Sequence, residues 1–285
     1  MNVLAQLVAW LNVAANALGK FLLAPIALLP GWLSITIVSA ILGLACLVAF
    51  KYTSNQQAIR RVRDDIQAHL LVLKLFPDSL WVTLRAEGRL LRGAVSLLVL
   101  AVVPMLVMIV PVSLLLAQLN LWYQVRPLRI GEEAVVTVQL RHPETGTRAA
   151  SALPDMRIEP TPAAETVLGP VQVLSKREIC WNLKARENGY HRLEFHCDRK
   201  IVEKELAIGD GFMRTSAQRP EWCWSDILWQ PAEQPFAPDS PVRAIWIDYP
   251  GRQSWTSGSD WWLVYCFAAS MFFSFCFRPW FRVAT

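Results

Sequence analysis

The sequence predicts an α-helical membrane protein with three transmembrane helices and one inserted all-β domain, an immunoglobulin-like sandwich. Three segments without charged side chains are each long enough, at about 20 apolar residues, to cross a bilayer as a helix. The long segment before the last of them changes to the alternating pattern of β-strands. The chain is 54% hydrophobic and 18% charged, whereas an average soluble domain is about 25% charged. This composition excludes an ordinary soluble protein.

The first segment, residues 1–31, is predicted to be an amphipathic helix lying in the membrane interface. Its leucines fall on one side of a helical wheel and its polar residues on the other. The polar residues are Asn2, Gln6, Asn12, Asn16 and Lys20. Pro25 and Pro30 end this helix before the first span. A cleaved signal peptide is the competing interpretation, and it would carry a basic residue ahead of its apolar run, where this sequence has none.

The distribution of Lys and Arg predicts the orientation of the chain. The predicted spans are residues 32–50, 93–118 and 260–278. Residues 51–92 hold eight basic and four acidic side chains, whereas residues 118–260 hold 17 basic and 19 acidic ones. Because Lys and Arg accumulate in cytoplasmic loops, we expect residues 51–92 and the tail, 279–285, in the cytoplasm and residues 120–258 outside it. The net charge of +5 then reflects the excess of Lys and Arg on the cytoplasmic side of the membrane.

The cytoplasmic loop is predicted to be a helical hairpin that turns at Pro77. Apolar residues at alternating spacings of three and four form a seam along its first helix. The seam consists of Ile59, Val62, Ile66, His69, Leu73 and Phe76, and the basic residues Arg60, Arg61 and Arg63 occupy the other faces. We expect the seam to pack against the second helix of the hairpin or against a partner subunit.

This layout resembles the YidC/Oxa insertase superfamily, in particular the branch of the ER-membrane-complex insertase subunit and its uncharacterised bacterial relatives. The resemblance covers residues 1–120 and 260–285. The stretches FKYTSNQQAIRRVRDDIQAHLLVLKLF, PMLVMIVPV and YQVRPLRIGEEAVVTVQL also resemble bacterial membrane proteins of this layout. The resemblance implies a bacterial inner-membrane location. It also implies insertion of short hydrophobic segments through a partly hydrophilic groove open to the cytoplasm.

Polar residues and prolines inside the spans are the candidate groove or partner contacts. They are Ser39, Ser96, Pro104, Pro111 and Ser270. A serine hydroxyl in such a position either lines a groove or bonds to the backbone of its own or a neighbouring helix. The two prolines lie seven residues apart, nearly on one face, and each bends the second span. A bent helix can line a groove or fit a neighbouring helix.

The external segment is predicted to contain a β-sandwich and a strap. Short alternating segments between residues 123 and 218 are typical of an antiparallel sandwich. The predicted strands are EAVVTVQLR, ETVLG, VQVLS, EICWNLKA, YHRLEFHC and IVEKELAIG. Residues 219–259 are rich in Pro and Trp and lack periodicity. We expect them to form an extended strap along the domain, the membrane face or a partner.

The spacing of Cys180 and Cys197 raises the question of a disulfide. A two-residue turn between their strands would place the two cysteines opposite each other. A three-residue loop with Gly189 in a left-handed conformation instead pairs Trp181 with Phe195 and makes one face of the hairpin consistently apolar. We predict this second register, in which the cysteines face opposite sides and form no disulfide.

The sequence carries no recognisable catalytic, cofactor-binding or metal-binding motif. His191 and His196 have opposite parity on their strand, so we expect no shared metal site. A clustered basic stripe with interleaved aromatic residues, as nucleic acid requires, is also absent. We therefore expect a non-enzymatic subunit or scaffold of a larger inner-membrane complex, in contact with membrane lipid and other membrane-protein subunits. The alternative is an insertase or chaperone that binds nascent membrane-protein segments.

Overall fold

The computed structural model describes residues 3–23, 25, 29–75, 80–141, 153–197, 200–254, 256 and 261–281. The chain divides into two compact units. The first comprises Met1–Ser34 and Ser113–Val264, and the second comprises Ile35–Val112 and Tyr265–Thr285. Each unit is described separately below.

The helices of the described residues are α1 (Val3–Leu22), α2 (Gly31–Thr53), α3 (Gln56–Leu75), α4 (Leu80–Tyr123), α5 (Trp224–Trp229) and α6 (Trp261–Phe281). In the described part of the chain, three helical segments are long and apolar enough to cross a membrane. They are α2, the portion of α4 from Glu87 and α6. All three predicted spans therefore correspond to helices. The helix α4 extends over 44 residues and contains both prolines.

In the second unit, α3 packs against α4 through the predicted seam. Ile59 is buried, and Ile66 lies against Gly93 of α4. This contact agrees with the interpretation in which the seam packs against the second helix of the hairpin. The predicted turn at Pro77 and seam residue Phe76 lie outside the described residues.

The helices α2 and α6 approach each other closely in the second unit. A Cβ atom added to Gly43 would lie 2.2 Å from the carbonyl oxygen of Ser270, so only glycine fits there. The Ser274 hydroxyl donates to the Gly43 carbonyl at 2.8 Å, and the hydroxyls of Thr36 and Tyr265 are 2.7 Å apart. Such contacts between small and hydroxyl-bearing residues are typical of helices that associate in a membrane.

The middle of α4, in contrast, is exposed around most of its circumference. Its exposed apolar residues are Val95, Leu98, Val99, Val102, Val103, Met105, Leu106, Val107, Ile109 and Val110. In water such a surface would be strongly unfavourable, since apolar patches of this size mark contact with lipid or protein.

The first unit contains a β-sandwich. Its strands are β1 (Glu133–Leu140), β2 (Met156–Ile158), β3 (Ala164–Val173), β4 (Glu178–Ala185), β5 (Gly189–Cys197), β6 (Lys200–Ile208), β7 (Gln218–Arg219) and β8 (Val242–Ile247). One antiparallel sheet has the order β3-β4-β1-β8-β7, and the other has the order β2-β5-β6. Alternate residues of both sheets form one core, in which the Trp181 and Phe195 ring centroids are 5.6 Å apart.

The predicted pairing of β4 with β5 is wrong. The strand β4 pairs with β1 and β3, whereas β5 pairs with β2 and β6. Trp181 and Phe195 therefore meet across the two sheets instead of side by side in one sheet. Facing strands and paired strands both bury alternate residues, so the apolar pattern of the sequence cannot distinguish the two arrangements.

The cysteine geometry follows from the same arrangement. Cys180 lies on the outer face of the larger sheet, and Cys197 is buried in the core. The two thiols therefore belong to different faces, as the predicted register requires, although the strands that carry them are not paired. Gly189 has a φ of +139°, so the connection uses a backbone conformation available mainly to glycine.

The segment 219–259, predicted to be a strap, contributes to the sandwich. It contains α5 and the strand β8, which pairs with β1 from residue 136 to 140. The larger sheet thus extends past the predicted boundary at residue 218. The strand β8 is flanked by loops rich in Pro, which obscured its period-two pattern in the sequence.

Candidate functional site

Within the first unit, the ends of the three long apolar helices meet at one place. The Tyr123 hydroxyl, at the end of α4, donates to the Ser34 hydroxyl near the start of α2 at 2.9 Å. The Tyr123 ring also stacks on Trp262 at the start of α6, with 6.3 Å between ring centroids. All three side chains are buried. We call this cluster, together with Phe212 and Arg252, the junction.

Phe212 and Arg252 connect the junction to the sandwich. Phe212 follows β6, and its ring centroid lies 5.4 Å from that of Tyr123. The Arg252 guanidinium lies 4.2 Å from the Phe212 ring centroid, a cation–π contact, and its Nε donates to the Trp122 carbonyl at 2.8 Å. Burial lowers the pKa of Arg252 to about 10, so the side chain remains a cation at neutral pH.

The polar face of α1 packs against α5 and the residues that follow it. The side-chain amides of Asn12 and Asn16 donate to the carbonyls of Ile227 and Pro231. The last carbonyls of a helix have no partner within it, and here the Asn12 amide supplies one for α5. Asn12 is only 4% exposed, so this contact is closed to solvent.

Asn16 also forms the centre of a second set of bonds. Its Oδ1 atom accepts from Gln118 of α4 at 2.9 Å and from the Arg214 guanidinium at 2.8 Å. Asn12 and Asn16, two of the residues that predicted the polar face of α1, therefore bind protein, whereas Gln6 is exposed. The other two, Asn2 and Lys20, have side chains outside the described part.

The opposite face of α1 is apolar and points outward. Its exposed residues are Leu7, Trp10, Leu11, Val13, Leu18, Phe21 and Leu22. Trp10 and Phe21 are 74% and 82% exposed. This helix has its polar side inside and its apolar side outside, the reverse of a helix on a water-soluble domain.

A buried ion pair joins β6 to the segment after α5. Lys204 is 0% exposed, and its Nζ donates to the Glu233 carboxylate, to the Ser216 carbonyl at 2.7 Å and to the Ser216 hydroxyl at 3.1 Å. Burial lowers the pKa of Lys204, and the neighbouring Glu233 carboxylate opposes this shift. Since all three groups bond to one another, the network holds the segment to the sheet.

The histidines occupy separate places on the sandwich. His196, Glu159 and Glu194 bring their ligand atoms within 4.8 Å of one another on an outer surface, with 2.9 Å between His196 Nε2 and Glu159 Oε2. The Nε2 atom of His191 lies 2.9 Å from the Glu187 carbonyl oxygen instead. The rings of the two histidines therefore contact different groups on the sandwich.

The serines predicted as groove contacts use their hydroxyls within their own helices. Ser39 donates to the Ile35 carbonyl at 2.6 Å, and Ser270 donates to the Phe267 carbonyl at 2.9 Å. Ser96 is half-buried on α4. These bonds correspond to the backbone alternative for the first two serines.

The other predicted residues are distributed as follows. Pro104 is buried and Pro111 is exposed, although their spacing places them on nearly one side of α4. On α3, Arg60 and Arg61 are exposed, and Arg63 is half-buried.

Sequence reasoning missed the contact of α1 with α5, whose partners are 215 residues apart.

Comparison of the chain with family models, curated proteins and solved structures finds no match. In the described part of the chain, the fold and the junction define the class: a protein with three helices long and apolar enough to cross a membrane and with an antiparallel β-sandwich.

Proposed function

We propose that the chain is a non-enzymatic integral protein of the bacterial inner membrane that serves as a subunit or scaffold of a larger membrane complex. Exposed Pro111 on α4 carries this proposal. Proline has no N–H, so the carbonyl of Val107, four residues earlier, lacks its usual partner in the helix. An unpaired carbonyl that faces hydrocarbon is costly. A neighbouring helix with a hydroxyl or amide donor relieves that cost.

The exposed surface of α4 supports the same proposal. Val107 is 54% exposed and Val110 52% exposed, so a second helix can approach the Val107 carbonyl directly. Pro104, by contrast, is already buried within this chain. The proposed partner is therefore a transmembrane helix that packs on the Pro111 side of α4.

The proposed topology places the sandwich outside the cytoplasm and residues 51–92 inside it. Two observations support it. The start of α2, the end of α4 and the start of α6 all belong to the unit that contains the sandwich. The opposite ends of α2 and α4 flank the loop with the excess of Lys and Arg. On this topology α1 lies in the outer membrane–water interface, with Trp10 and Phe21 toward lipid.

The sandwich is proposed to be of immunoglobulin-like type. Its two antiparallel sheets enclose one core, and consecutive strands β4 and β5 belong to opposite sheets. Crossing between sheets is a property of Greek-key sandwiches. Under this proposal the domain serves as a docking module.

Site-specific photo-crosslinking in native membranes tests the proposed partner. A photoreactive side chain at Val107 or Val110 is expected to form an adduct with a second polypeptide. The same probe at Phe272, an exposed position on α6, serves as the control. Adducts with lipid alone at both α4 positions would disprove a partner on this face.

The prolines provide a matched pair of variants for the same experiment. Pro111→Ala restores an N–H for the Val107 carbonyl, so we expect fewer adducts. Pro104→Ala, at a buried position, is expected to leave the adducts unchanged. Equal adduct formation in both variants would show that the freed carbonyl does not recruit the partner.

The insertase alternative is favoured by one feature, the helical hairpin in which α4 extends without interruption from residue 80 into the predicted span. It has less support because the hydroxyls of Ser39 and Ser270 are already bonded within their helices. Crosslinking of nascent chains to positions 39, 96 and 270 tests it. Failure to exceed background at all three positions would argue against an insertase.

A further inference from the structure

The outer face of the larger sheet carries a groove of about 590 Å³. Trp246 of β8 lies in the middle of a row across the sheet, between Gln218 of β7 and Thr137 of β1. Gln124 and Gln230 line the groove from two loops, and Asp248 lies beyond the end of β8. The groove and all its lining residues belong to the first unit.

The polar side chains of this groove are available to a ligand. In the described part of the chain, the side chains of Gln124, Gln218, Gln230, Trp246 and Asp248 bond to no other protein group. Three amides, an indole N–H and a carboxylate thus converge on one space with their donors and acceptors free. Protein ligand sites combine an apolar or aromatic surface with a few such groups.

A second groove of similar size, about 560 Å³, provides the contrast. Four of its charged residues already bond to protein: Arg192 pairs with Glu203 at 3.0 Å, Arg219 donates to the Gln234 carbonyl at 2.9 Å, and Glu233 holds Lys204. These four charged groups therefore hold the fold together, whereas the polar side chains beside Trp246 make no such bonds.

The chemistry of the Trp246 groove indicates its ligand. Among the described residues, no Lys or Arg lines it, so phosphate and other anions find no cation there. Each side-chain amide offers both a donor and an acceptor, which matches a hydroxyl group that also does both. A flat indole packs against the C–H face of a pyranose ring. We propose that this groove binds a neutral carbohydrate, with Trp246 against one sugar ring and the glutamine amides on its hydroxyls.

Two sources could supply this chemistry, a free oligosaccharide and the sugar headgroup of a glycolipid. Gln124 follows directly after α4 ends at Tyr123, so the groove begins at the end of a long apolar helix. On the proposed topology, on which this step rests, that end lies at the outer membrane surface. A lipid headgroup and a soluble glycan can both reach it there.

The test uses the full-length protein in phosphatidylcholine nanodiscs, because glycoside detergents carry the proposed ligand chemistry themselves. In one arm, cellohexaose, chitohexaose and maltohexaose are titrated by calorimetry. In the other, the nanodiscs contain digalactosyldiacylglycerol, and native mass spectrometry counts the glycolipid retained by the protein. We expect saturable binding in at least one arm, and the responding arm identifies the source.

Variants connect the binding to the groove. Trp246→Leu keeps an apolar residue in β8 and removes the stacking surface, so we expect about tenfold weaker binding. Gln230→Ala lies outside the strands and is expected to weaken binding without affecting the sheet. Trp224→Leu removes an exposed indole on α5 outside the groove, and its binding should match that of the wild type.

Three results would overturn the proposal. They are no binding of any probe in either arm, binding that both groove variants leave intact, and photo-crosslinking of a polypeptide from position 246. The soluble arm requires no particular membrane topology. Glycan binding without a crosslinked partner on α4 would therefore refute the proposed subunit role and leave the groove assignment standing.

Discussion

The sandwich and the helix α1 distribute polar and apolar side chains in opposite ways. The strand β4 buries Trp181 and keeps Asn182 at the surface, as a domain in water does. The helix α1 buries Asn12 and exposes Phe21. Both arrangements have the same cause, because the removal of apolar surface from water is favourable. The difference shows that the two surfaces are built for different surroundings.

The strongest test of this contrast compares two phenylalanines. Phe195→Ala is expected to lower the free energy of unfolding by about 3–5 kcal/mol, since it empties a packed core position. Phe21→Ala removes an outward ring, and we expect a change below about 0.5 kcal/mol. Denaturant titration of the full-length protein in micelles measures both. Equal losses would mean that α1 packs its apolar face against its own chain.

The buried ion pair tests a place where the sandwich has charge in its interior. Lys204→Met leaves the Glu233 carboxylate without its cation, and we expect a loss of about 3 kcal/mol. Adding Glu233→Gln should recover part of that loss. Lys200→Met, in the same strand but exposed and 3.6 Å from Asp239, should cost less than about 1 kcal/mol. A Lys204→Met variant as stable as the Lys200→Met control would contradict a structural role.

The contact between α1 and α5 should have an intermediate effect. Asn12→Ala leaves the Ile227 carbonyl buried without this donor, which is expected to cost about 1–2 kcal/mol. Hydrogen exchange of the α5 amides should accelerate accordingly. The control is Gln6→Ala at an exposed position on the same helix. Unchanged exchange in both variants would show that α1 does not hold α5.

The smallest expected effect is a pH dependence at the sandwich surface. Arg126 binds Glu132 through two hydrogen bonds of 2.8 and 2.9 Å and lowers the pKa of that carboxyl from 4.5 to about 2. Because this carboxyl has a lower pKa in the folded protein, the pair stabilises the fold at pH values above the pKa of the unfolded chain. That stabilisation is lost as the pH falls through 4.5 towards 2.

Because both side chains are partly exposed, we expect the pair to contribute less than about 1 kcal/mol. Glu132→Gln should therefore flatten the acid limb of the stability profile slightly. Glu133→Gln, whose wild-type side chain accepts a bond from the neutral Asn182, is the control. An identical acid limb in the wild type and in Glu132→Gln would rule out this linkage.

Local sequence patterns predicted much of the fold. The three long helices follow from the length of their uncharged apolar segments. The seam at Ile59 and the strands β1, β4, β5 and β6 follow from periodicities of 3.6 and 2. The pairing of β4 did not follow, because a strand buries the same residues against a facing sheet as it does beside a neighbour. The strand β8 was missed, since the consecutive residues Ala244 and Ile245 are both buried, which interrupts the alternation, and its flanks are rich in Pro.

The candidate sites depend on contacts between distant residues. The polar stripe of α1 was visible in the sequence, but nothing local indicated that Asn12 would meet Ile227. In the same way, Gln124, Gln218 and Trp246 are brought together only by the order of strands in the larger sheet. Their approach is a property of the topology and not of any one segment.

The position of β8 also has a consequence for the order of events during synthesis. This strand lies between β1 and β7, so the larger sheet stays open until the ribosome has made residue 247. The helix α6 begins soon afterwards, at Trp261. Under the proposed topology, β1 is translocated early, and the edge of β1 that pairs with β8 stays unpaired until β8 has been made. Closure of the domain and entry of the last helix into the membrane are then nearly simultaneous steps of biogenesis.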